Sequence, residues 1–573
     1  MGLIAVSLDG TPVLSPPADP ADFDGPVAAL RHLIAALDAP APDGLAPAGL
    51  APAGPASSGL APTGIAPTGP ASSGLASSGG SATPSGRGAT TSGPAPSRRG
   101  PVEPADVPLA LVAGVIGGSG APATARCAAV GLSPLNGGVA ETRAEGPFAA
   151  GLRAAGVTGV VLHGRATTPT VVVVTDGAAR LEPAGDLWGL ETGPATDRLL
   201  DRYGPTAAVA VIGPAGERRI PYASIVTSRH HPLPRLGLGA VLGAKLVKAV
   251  VCVGDARPPV ADPYTMRMIG IEYAEAVAGD KLSVWQHGWP GFGVWAGEPG
   301  YAPVAQFTDT TRGGGVGEVP PAIAAAATVA ACPGCPTDCI KVYAGAGLHQ
   351  EALAALGPGS GVADPWPLLR RHEQDGTDPV SAVGTLTVRG VAIPPFDPRV
   401  QPNLGLSYVV SPIGPRYDMV EHDLDFDVDE GLPAAYPEVA RLGLRVPRKR
   451  GTLDPWGTAQ LMRLWSGLDA LGVCLFAATP TRPLTLARIE DLVEAITGRR
   501  PGVLALGATR LRLQHQVNVR LGRAGAPTLP DLFFTEPVRA GRYAGAMLDR
   551  VAFEEAAADL RRHLGLHVDS LSG

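Results

Sequence analysis

Three cysteines lie close together near the middle of the chain, in the stretch CPGCPTDC from Cys332 to Cys339. Cys332, Cys335 and Cys339 follow the spacing C-x2-C-x3-C, and the glycine and prolines between them favour a tight turn. Three close cysteines and one remote cysteine are a common way to hold a [4Fe–4S] cluster. The spacing alone leaves two alternatives open, a zinc ion with a fourth Cys or His ligand and a set of unpaired structural cysteines.

The fourth ligand has three candidates among the six cysteines of the 573-residue chain. Cys252, in the run AVVCVGD, and Cys127, in TARCAAV, are typical of small buried apolar residues in strands. Cys474 follows Gly472, which breaks the helical pattern of LDALGVC, so its thiol can point away from regular structure. Because six cysteines are too few for a disulfide scaffold, a reduced compartment with a metal or redox role is the expectation.

The elements around these cysteines change type along the chain. The runs LALVAGVIGG, GVTGVVLHGRA, TPTVVVVTDG, AAVAVIGPAGE and AKLVKAVVCVGD predict strands before residue 258. Helices are predicted for PYTMRMIGIEYAEAVAGD, PPAIAAAATVAACPGC, LDPWGTAQLMRLWSGLDALG and LTLARIEDLVEAITGRR. The pattern predicts an α+β fold with a β-rich domain at 1–257 and two mainly helical domains at 258–388 and 389–573, which carry the cysteine triplet and Cys474 respectively.

Composition narrows the classes of function. At about 41–104 the chain repeats Ala-Pro-Gly and Ser-Ser-Gly units with almost no charge or large apolar groups, which predicts a disordered linker. A formal charge of -6 argues against nucleic acid as the main partner. No apolar run approaches the ~20 residues of a membrane helix. The first residues, MGLIAVSLDG, do not read as a signal peptide, so a cytoplasmic location is expected.

Five motifs, in order along the chain, resemble motifs of the aldehyde ferredoxin oxidoreductases, the tungsten-pterin enzymes that oxidise aldehydes to carboxylic acids. They are IGPAGE (212–217), RLGLGAVLGAKLVKAV (235–250), CPGCPTDC (332–339), IPPFDPR (393–399) and LDALGVC (468–474). In that family the cysteine of the last motif is the fourth cluster ligand. The resemblance therefore implies that Cys332, Cys335, Cys339 and Cys474 hold a [4Fe–4S] cluster.

The resemblance also implies a bis-pterin cofactor carrying tungsten or molybdenum. Asp469 would accept hydrogen bonds from pterin N–H groups, and Gly213 and Gly216 would let the backbone approach a large anionic ligand. Arg126 and Arg235 are suited to phosphate or pterin oxygens. The cofactor-binding residues predicted in this way are Arg126, Gly213, Ala215, Gly216, Glu217, Arg235, Asp378, Asp469 and Gly472.

Several stretches depart from the family pattern. RAEG (143–146) stands where the family has NSGG, so its side chains could crowd a pterin. EQDGTDP, with Asp378, stands where the family has D-x-x-G-L-D-T, and Glu351 is retained in HQEALAALG. Tyr417 takes the place of a histidine beside the substrate, with His422 nearby. Glu351 is the candidate general base and Tyr417 the candidate group that polarises a carbonyl.

The resemblance implies an oxidoreductase that converts a small aldehyde to a carboxylic acid, or the reverse, and passes electrons through the cluster to ferredoxin. A homodimer is possible in this family. The departures support an alternative, in which the chain keeps the fold and the cluster but has lost aldehyde oxidation and acts in electron transfer or a specialised pathway.

Overall fold

The computed structural model describes most of the chain outside the low-complexity stretch. The described residues are 1–10, 25–39, 102–279, 328–343, 346–347, 366–383, 386–394, 396–429, 431–478, 482–539 and 542–567. The linker predicted at about 41–104 lies outside these ranges except for its last three positions. Within them, no helix has both the length and the apolar character needed to cross a membrane. The domain boundaries after 257 and 388 stay predictions.

A five-stranded sheet forms the first layer, in the order β1-β5-β2-β3-β4. β1 runs parallel to β5 and the other neighbours are antiparallel. β2 to β5 are buried at every position, as expected of near-continuous apolar strands covered on both faces. The strands are β1 Leu3–Ser7, β2 Leu109–Ala113, β3 Cys127–Leu132, β4 Val139–Ala144 and β5 Gly159–His163.

A six-stranded sheet follows, in the order β10-β9-β8-β11-β6-β7. Its centre is the Val-rich pair β6 and β11, which run parallel, while β7 is an edge strand with much of its surface exposed. The strands are β6 Thr170–Thr175, β7 Ala178–Pro183, β8 Ala208–Val211, β9 Ile225–Thr227, β10 His231–Leu233 and β11 Val247–Val253. All five strands predicted from the sequence are therefore confirmed.

Helices dominate the described residues after 258. Those of the N-terminal half are α1 Pro26–Asp38, α2 Phe148–Ala154, α3 Thr192–Tyr203, α4 Pro214–Glu217, α5 Leu238–Ala244 and α6 Pro263–Gly279. The rest are α7 Trp366–Asp375, α8 Pro379–Val383, α9 Pro402–Val410, α10 Tyr436–Arg441, α11 Pro455–Leu471, α12 Leu486–Thr497, α13 Val503–Arg520, α14 Leu532–Thr535 and α15 Arg550–Leu564. Sheets followed by helices confirm the predicted α+β class.

The helix predicted over PPAIAAAATVAACPGC is wrong in its described part. Thr328–Ala330 is strand β12, paired with β13 (Ile340–Tyr343), which in turn pairs with β14 (Ala346–Gly347). β-Branched residues in both strands favour this pairing, which overrides the helix propensity of the alanines. The cysteine triplet therefore lies in the connection between two antiparallel strands. A fourth small sheet joins β15 (Thr387–Val388) and β16 (Val391–Ala392).

Helix α11 links the helical region to the first sheet. Its first turn is capped by Asp454, whose carboxylate accepts a hydrogen bond from the Gly457 N–H over 2.9 Å, with Pro455 at the first helical position. The helix packs along α13 and ends at Gly472, which has φ +83°. Its buried C-terminal end carries Asp469 and leads directly to Cys474.

Candidate metal centre

The Cys332–Cys335 segment is a tight turn. The backbone N–H of Cys335 donates a hydrogen bond to the carbonyl oxygen of Cys332 over 3.0 Å. Gly334 has φ +76°, and a Cβ there would collide with the carbonyl oxygen of Gly120. The left-handed backbone and the close approach both require glycine at 334. The cysteine turn therefore rests on the loop that contains Gly120.

Cys474 is held against the same loop from another direction. Its backbone N–H donates a hydrogen bond to the carbonyl oxygen of Ala123 over 2.8 Å. Gly472, two residues earlier, packs so tightly on Gly114 that a Cβ on Gly114 would collide with the Gly472 backbone. The loop between β2 and β3 is thus the shared surface that brings the two cysteine segments together.

The thiol of Cys474 lies within electrostatic reach of the triplet. Burial raises its pKa first, followed by the charges of Glu145 and Cys339 and, more weakly, Cys332, while Arg126 opposes the rise. A buried thiolate there is therefore costly without a compensating cation.

The pKa of the Cys332 thiol is raised for similar reasons. Burial, then Glu145, Cys339 and Cys335 raise its pKa, whereas a hydrogen bond from the backbone of Gly146 lowers it. Cys332 is buried, and the other cysteines of the four predicted ligands are partly exposed. A bound metal centre would replace the thiol protons and supply the positive charge that this set lacks.

Cysteine thiolates are ligands of both a zinc ion and a [4Fe–4S] cluster. Across the part of the chain that the structure describes, no three His, Cys, Asp or Glu side chains are gathered closely enough to hold a single metal ion. The assignment of a [4Fe–4S] cluster to these cysteines stays a prediction from the resemblance.

Asp469, at the end of α11, is the centre of a buried cluster of charges. Its carboxylate accepts from Nη1 of Arg126 over 2.5 Å and forms an ion pair with Nη1 of Arg143. Nη1 of Arg510 lies 3.4 Å from Oδ2, the same Asp469 oxygen that pairs with Arg143. All four side chains are at most 3% exposed. The acceptor that the sequence assigns to a pterin is therefore already surrounded by guanidinium groups.

Arg126 also reaches Glu145, since its Nε donates to the Glu145 carboxylate over 2.8 Å. Although burial works against it, Glu145 and then Asp418 raise the pKa of Arg126 above its ordinary value. Arg126 joins the polar cluster to the cysteines, because both Glu145 and Arg126 act on the Cys474 thiol.

Arg143 is less well satisfied than Arg126. Its Nε and Nη2 have no hydrogen-bond acceptor among the described residues, and each of its guanidinium nitrogens is buried. Burial, followed by the charge of Arg416, lowers the pKa of Arg143 well below its ordinary value, with Asp418 opposing. The sequence identified RAEG as a departure but gave no partner for its arginine.

A second buried pair continues the cluster into the first sheet. Arg510 on α13 binds Glu141 on β4 through Nε and Nη2, with the shortest contact at 2.5 Å, and Gln514 donates to the same carboxylate over 2.9 Å. Arg510 and Glu141 lower the cost of each other's burial. Although burial raises the pKa of Glu141, the charge and hydrogen bonds of Arg510 and the hydrogen bond of Gln514 lower it below its ordinary value. Sequence reasoning missed this pair, although charged residues inside the buried strand VAETRA were a visible signal.

The IGPAGE turn is packed closely against another predicted cofactor segment. Gly213 precedes the four-residue helix α4, which contains Ala215 and Gly216, and a Cβ on Gly213 would collide with the carbonyl oxygen of Asp375. Glu217 accepts from the Gly189 N–H over 2.8 Å and from Nζ of Lys248 over 2.5 Å. The carboxylate of Glu217 is thus bonded within the second sheet.

Arg235 and Asp378 are bonded within the fold as well. Arg235 has φ +82°, and its Nη2 donates to the carbonyl oxygens of Ala392 and Pro415. Asp378 is 2% exposed and caps α8, because its carboxylate accepts from the Ser381 N–H over 3.0 Å. Cofactor binding by these two residues stays a prediction.

The two candidate catalytic residues are untested. Glu351 lies outside the described residues. Tyr417 begins a short 3₁₀ helix, Tyr417–Met419, and its backbone alone is described. Beside it, Arg416 and Asp418 form a buried ion pair at 2.7 Å. His422 packs edge-on against Phe396, with ring centroids 4.7 Å apart.

Family models match two separate parts of the chain. The model of the aldehyde ferredoxin oxidoreductase N-terminal domain matches residues 94–254. The model of domains 2 and 3 of the same family matches residues 381–570. Together these matches cover more than half of the 573 residues.

Curated relatives agree with the family models. The chain is 28% identical over 295 residues to the tungsten-containing aldehyde ferredoxin oxidoreductase of Pyrococcus furiosus, a stretch that covers 48% of each protein. It is 26% identical over 180 residues to the aliphatic sulfonate oxidoreductase, WOR-like subunit, of the same organism, which covers 29% of each. The chain therefore matches about half the length, or less, of these relatives.

A solved structure shares the fold. It is the active site complex BamBC of benzoyl coenzyme A reductase in complex with 1,5-dienoyl-CoA. The TM-score is 0.60 with 16% sequence identity, covering 82% of this chain and 88% of that chain. At this identity the likeness is evidence for the fold alone.

Proposed function

Because the chain belongs to the aldehyde ferredoxin oxidoreductase family, we propose that it is an oxidoreductase that transfers electrons through a [4Fe–4S] cluster held by Cys332, Cys335, Cys339 and Cys474. One observation carries this proposal. The loop between β2 and β3 contacts both cysteine segments, and the Cys474 thiol lies within electrostatic reach of Cys332 and Cys339. Ferredoxin, from the family name, is the proposed electron partner.

When bound, a [4Fe–4S] cluster takes up and releases single electrons. The chain's own residues have separate tasks around it. Gly146 donates a backbone hydrogen bond to the sulfur of Cys332, and such bonds stabilise the more negative state of a cluster and raise its potential. Arg126, buried nearby, adds a positive charge with the same effect. The partial exposure of Cys335 and Cys339 supports exchange with a protein partner at that side.

Aldehyde oxidation at a tungsten- or molybdenum-bearing bis-pterin is the finer function implied by the sequence, with Glu351 as base and Tyr417 at the carbonyl. The described residues do not fit this group as they stand. The carboxylate of Asp469 is paired with guanidinium groups, that of Glu217 with Lys248, and that of Asp378 accepts a hydrogen bond from the first turn of α8. The alternative function, a divergent relative that keeps the cluster and acts in electron transfer, agrees better with this bonding.

Replacing Cys474 tests the proposal. Cys474→Ser removes one thiolate, so anaerobically purified protein should lose most of its iron and its absorbance near 400 nm. Cys252→Ala is the matched control, since Cys252 is a buried thiol on β11 away from the centre, and this variant should keep both. Full iron content and an unchanged spectrum in Cys474→Ser would contradict the proposed ligand set.

A further inference from the structure

We propose that Arg143 closes the pterin-binding place beside Asp469, so that this chain carries the iron–sulfur cluster without a bis-pterin. This inference rests on the proposed function, because it takes the four-cysteine centre as given. It concerns the residue that the sequence places where the related family has the asparagine of NSGG.

The carboxylate of Asp469 is already occupied by hydrogen-bond donors of this chain. A carboxylate offers about four lone-pair sites. Arg126 and Arg143 bind the Asp469 carboxylate directly and Arg510 approaches it to 3.4 Å. A pterin N–H could reach Asp469 only by displacing one of these guanidinium groups, and each of them is buried.

The guanidinium group of Arg143 is closely surrounded by the protein. Each of its three guanidinium nitrogens has less than 1 Å² accessible to a water-sized sphere. A pterin ring is much larger than water, so a gap able to receive one would leave these atoms accessible. The unused donors of Nε and Nη2 therefore face protein atoms, and a pterin could not bind beside them without moving Arg143.

The charged side chains around Asp469 balance one another. The cluster contains four buried or partly buried cations, Arg126, Arg143, Arg416 and Arg510, and four anions, Glu141, Glu145, Asp418 and Asp469. Formal charges cancel without any cofactor. A bis-pterin, which brings phosphate groups, would add uncompensated negative charge to this cluster.

EQDGTDP stands where the related family has D-x-x-G-L-D-T, a motif that contacts the second pterin in that family. The Ser224 N–H donates to the carbonyl oxygen of Gly376 over 2.8 Å, and the Asp378 N–H donates to the carbonyl oxygen of Tyr222 over 3.0 Å. These bonds tie residues 376–378 to the stretch that follows IGPAGE. Backbone hydrogen bonds therefore hold the segment that corresponds to the family's second pterin contact against residues 222–224.

The direct test is the pterin content of the full chain. The protein is produced in a host that makes metallopterin and is supplied with tungstate and molybdate, then purified anaerobically. Released pterins are measured as fluorescent oxidation products, and iron is measured in the same sample. We expect about four iron per chain, as one cubane requires, and pterin at background. About two pterins per chain, as a bis-pterin requires, would overturn the closure. Missing iron with background pterin would instead contradict the proposed function.

A variant tests whether Arg143 itself is the closing residue. In pterin-free protein, Arg143→Ala should lower the melting temperature by about 5 °C, because it leaves a buried carboxylate cluster short of one cation. Arg180→Ala is the control, since Arg180 is 53% exposed on β7 and should leave the melting temperature unchanged. An unchanged melting temperature for Arg143→Ala would overturn the closure. If this variant does not fold, the pterin content of the unaltered chain still decides.

Discussion

The cysteine centre and the charge cluster around Asp469 lie side by side but differ in what they need from outside the chain. The cysteines are like-charged when ionised, and burial together with Glu145 raises the pKa values of Cys332 and Cys474. The charge cluster has equal numbers of cations and anions, which are bonded to one another. The first site lacks positive charge, whereas the formal charges of the second cancel. Charge balance thus distinguishes a site that a cationic centre would stabilise from a cluster that is neutral by itself.

The largest effect that this comparison predicts is on iron. Cys474→Ser should remove most of the cluster, since three thiolates and a hydroxyl are a weak ligand set. Asp469→Asn, five residues earlier, should keep the iron, because Asp469 is bonded to arginines and not to the cysteines. Iron analysis of the two proteins sharpens the comparison, and equal iron loss in both would break it.

The next effect is on stability. Asp469→Ala should lower the free energy of unfolding by about 3–5 kcal/mol, because it leaves buried Arg126 and Arg143 without their shared partner. Asp38→Ala is the control, since Asp38 is 54% exposed in its pair with Arg520 and should cost at most about 1 kcal/mol. Urea unfolding measures both. A loss of less than about 1 kcal/mol for Asp469→Ala would mean that the carboxylate is not bound by the arginines.

A smaller effect is expected at Gly146, which joins the two regions. Gly146 has φ +122°, and a Cβ there would lie 2.7 Å from the His231 ring. Gly146→Ala should cost about 2 kcal/mol and shift the reduction potential of the cluster, because the hydrogen bond to Cys332 moves. Gly189→Ala, at φ +89° in open space, should cost about 1 kcal/mol without a shift. Unfolding and redox titrations that do not distinguish the two variants would contradict this role.

A further effect lies outside both regions and gives a baseline for pH. Burial, then His32 and Lys245 lower the pKa of His163 on β5 to about 4, against an ordinary value of 6.5. Between these values the folded chain binds fewer protons than the unfolded chain, so stability should fall as the pH drops from 6.5 to 4.

The contribution of His163 to the change of the free energy of unfolding with pH can reach at most about 1.4 kcal/mol per pH unit. His163→Gln should flatten this dependence of stability on pH. Thermal unfolding across this window measures the slope. If the stability of His163→Gln still falls with pH more steeply than about 1.4 kcal/mol per pH unit, His163 is not the source of the slope, and groups in the charge cluster are.

The sequence predicted the strands and the long helices because their patterns are continuous. TPTVVVVTDG and LDPWGTAQLMRLWSGLDALG carry both the apolar period and their own end signals, and β6 and α11 fall where expected. The helix predicted before Cys332 failed because strand pairing with Ile340–Tyr343 depends on residues ten positions away. Local propensity does not contain that pairing.

The candidate site was predictable only in part for a similar reason. The cysteine spacing and the resemblance together identified two cysteine segments, and the backbone of each contacts the loop between β2 and β3. Their role as ligands of one cluster stays a prediction. The partners of Arg143 and Glu141 were not predictable, since Asp469 and Arg510 lie more than 300 positions away. A buried charge in a strand indicates that a partner exists, but the fold decides which one.

The most direct test of the central claim is the metal content of the unaltered chain, purified anaerobically from cells supplied with tungstate and molybdate. The account predicts about four iron per chain with tungsten and molybdenum both at background. Tungsten or molybdenum near one per chain, alongside the iron, would contradict it.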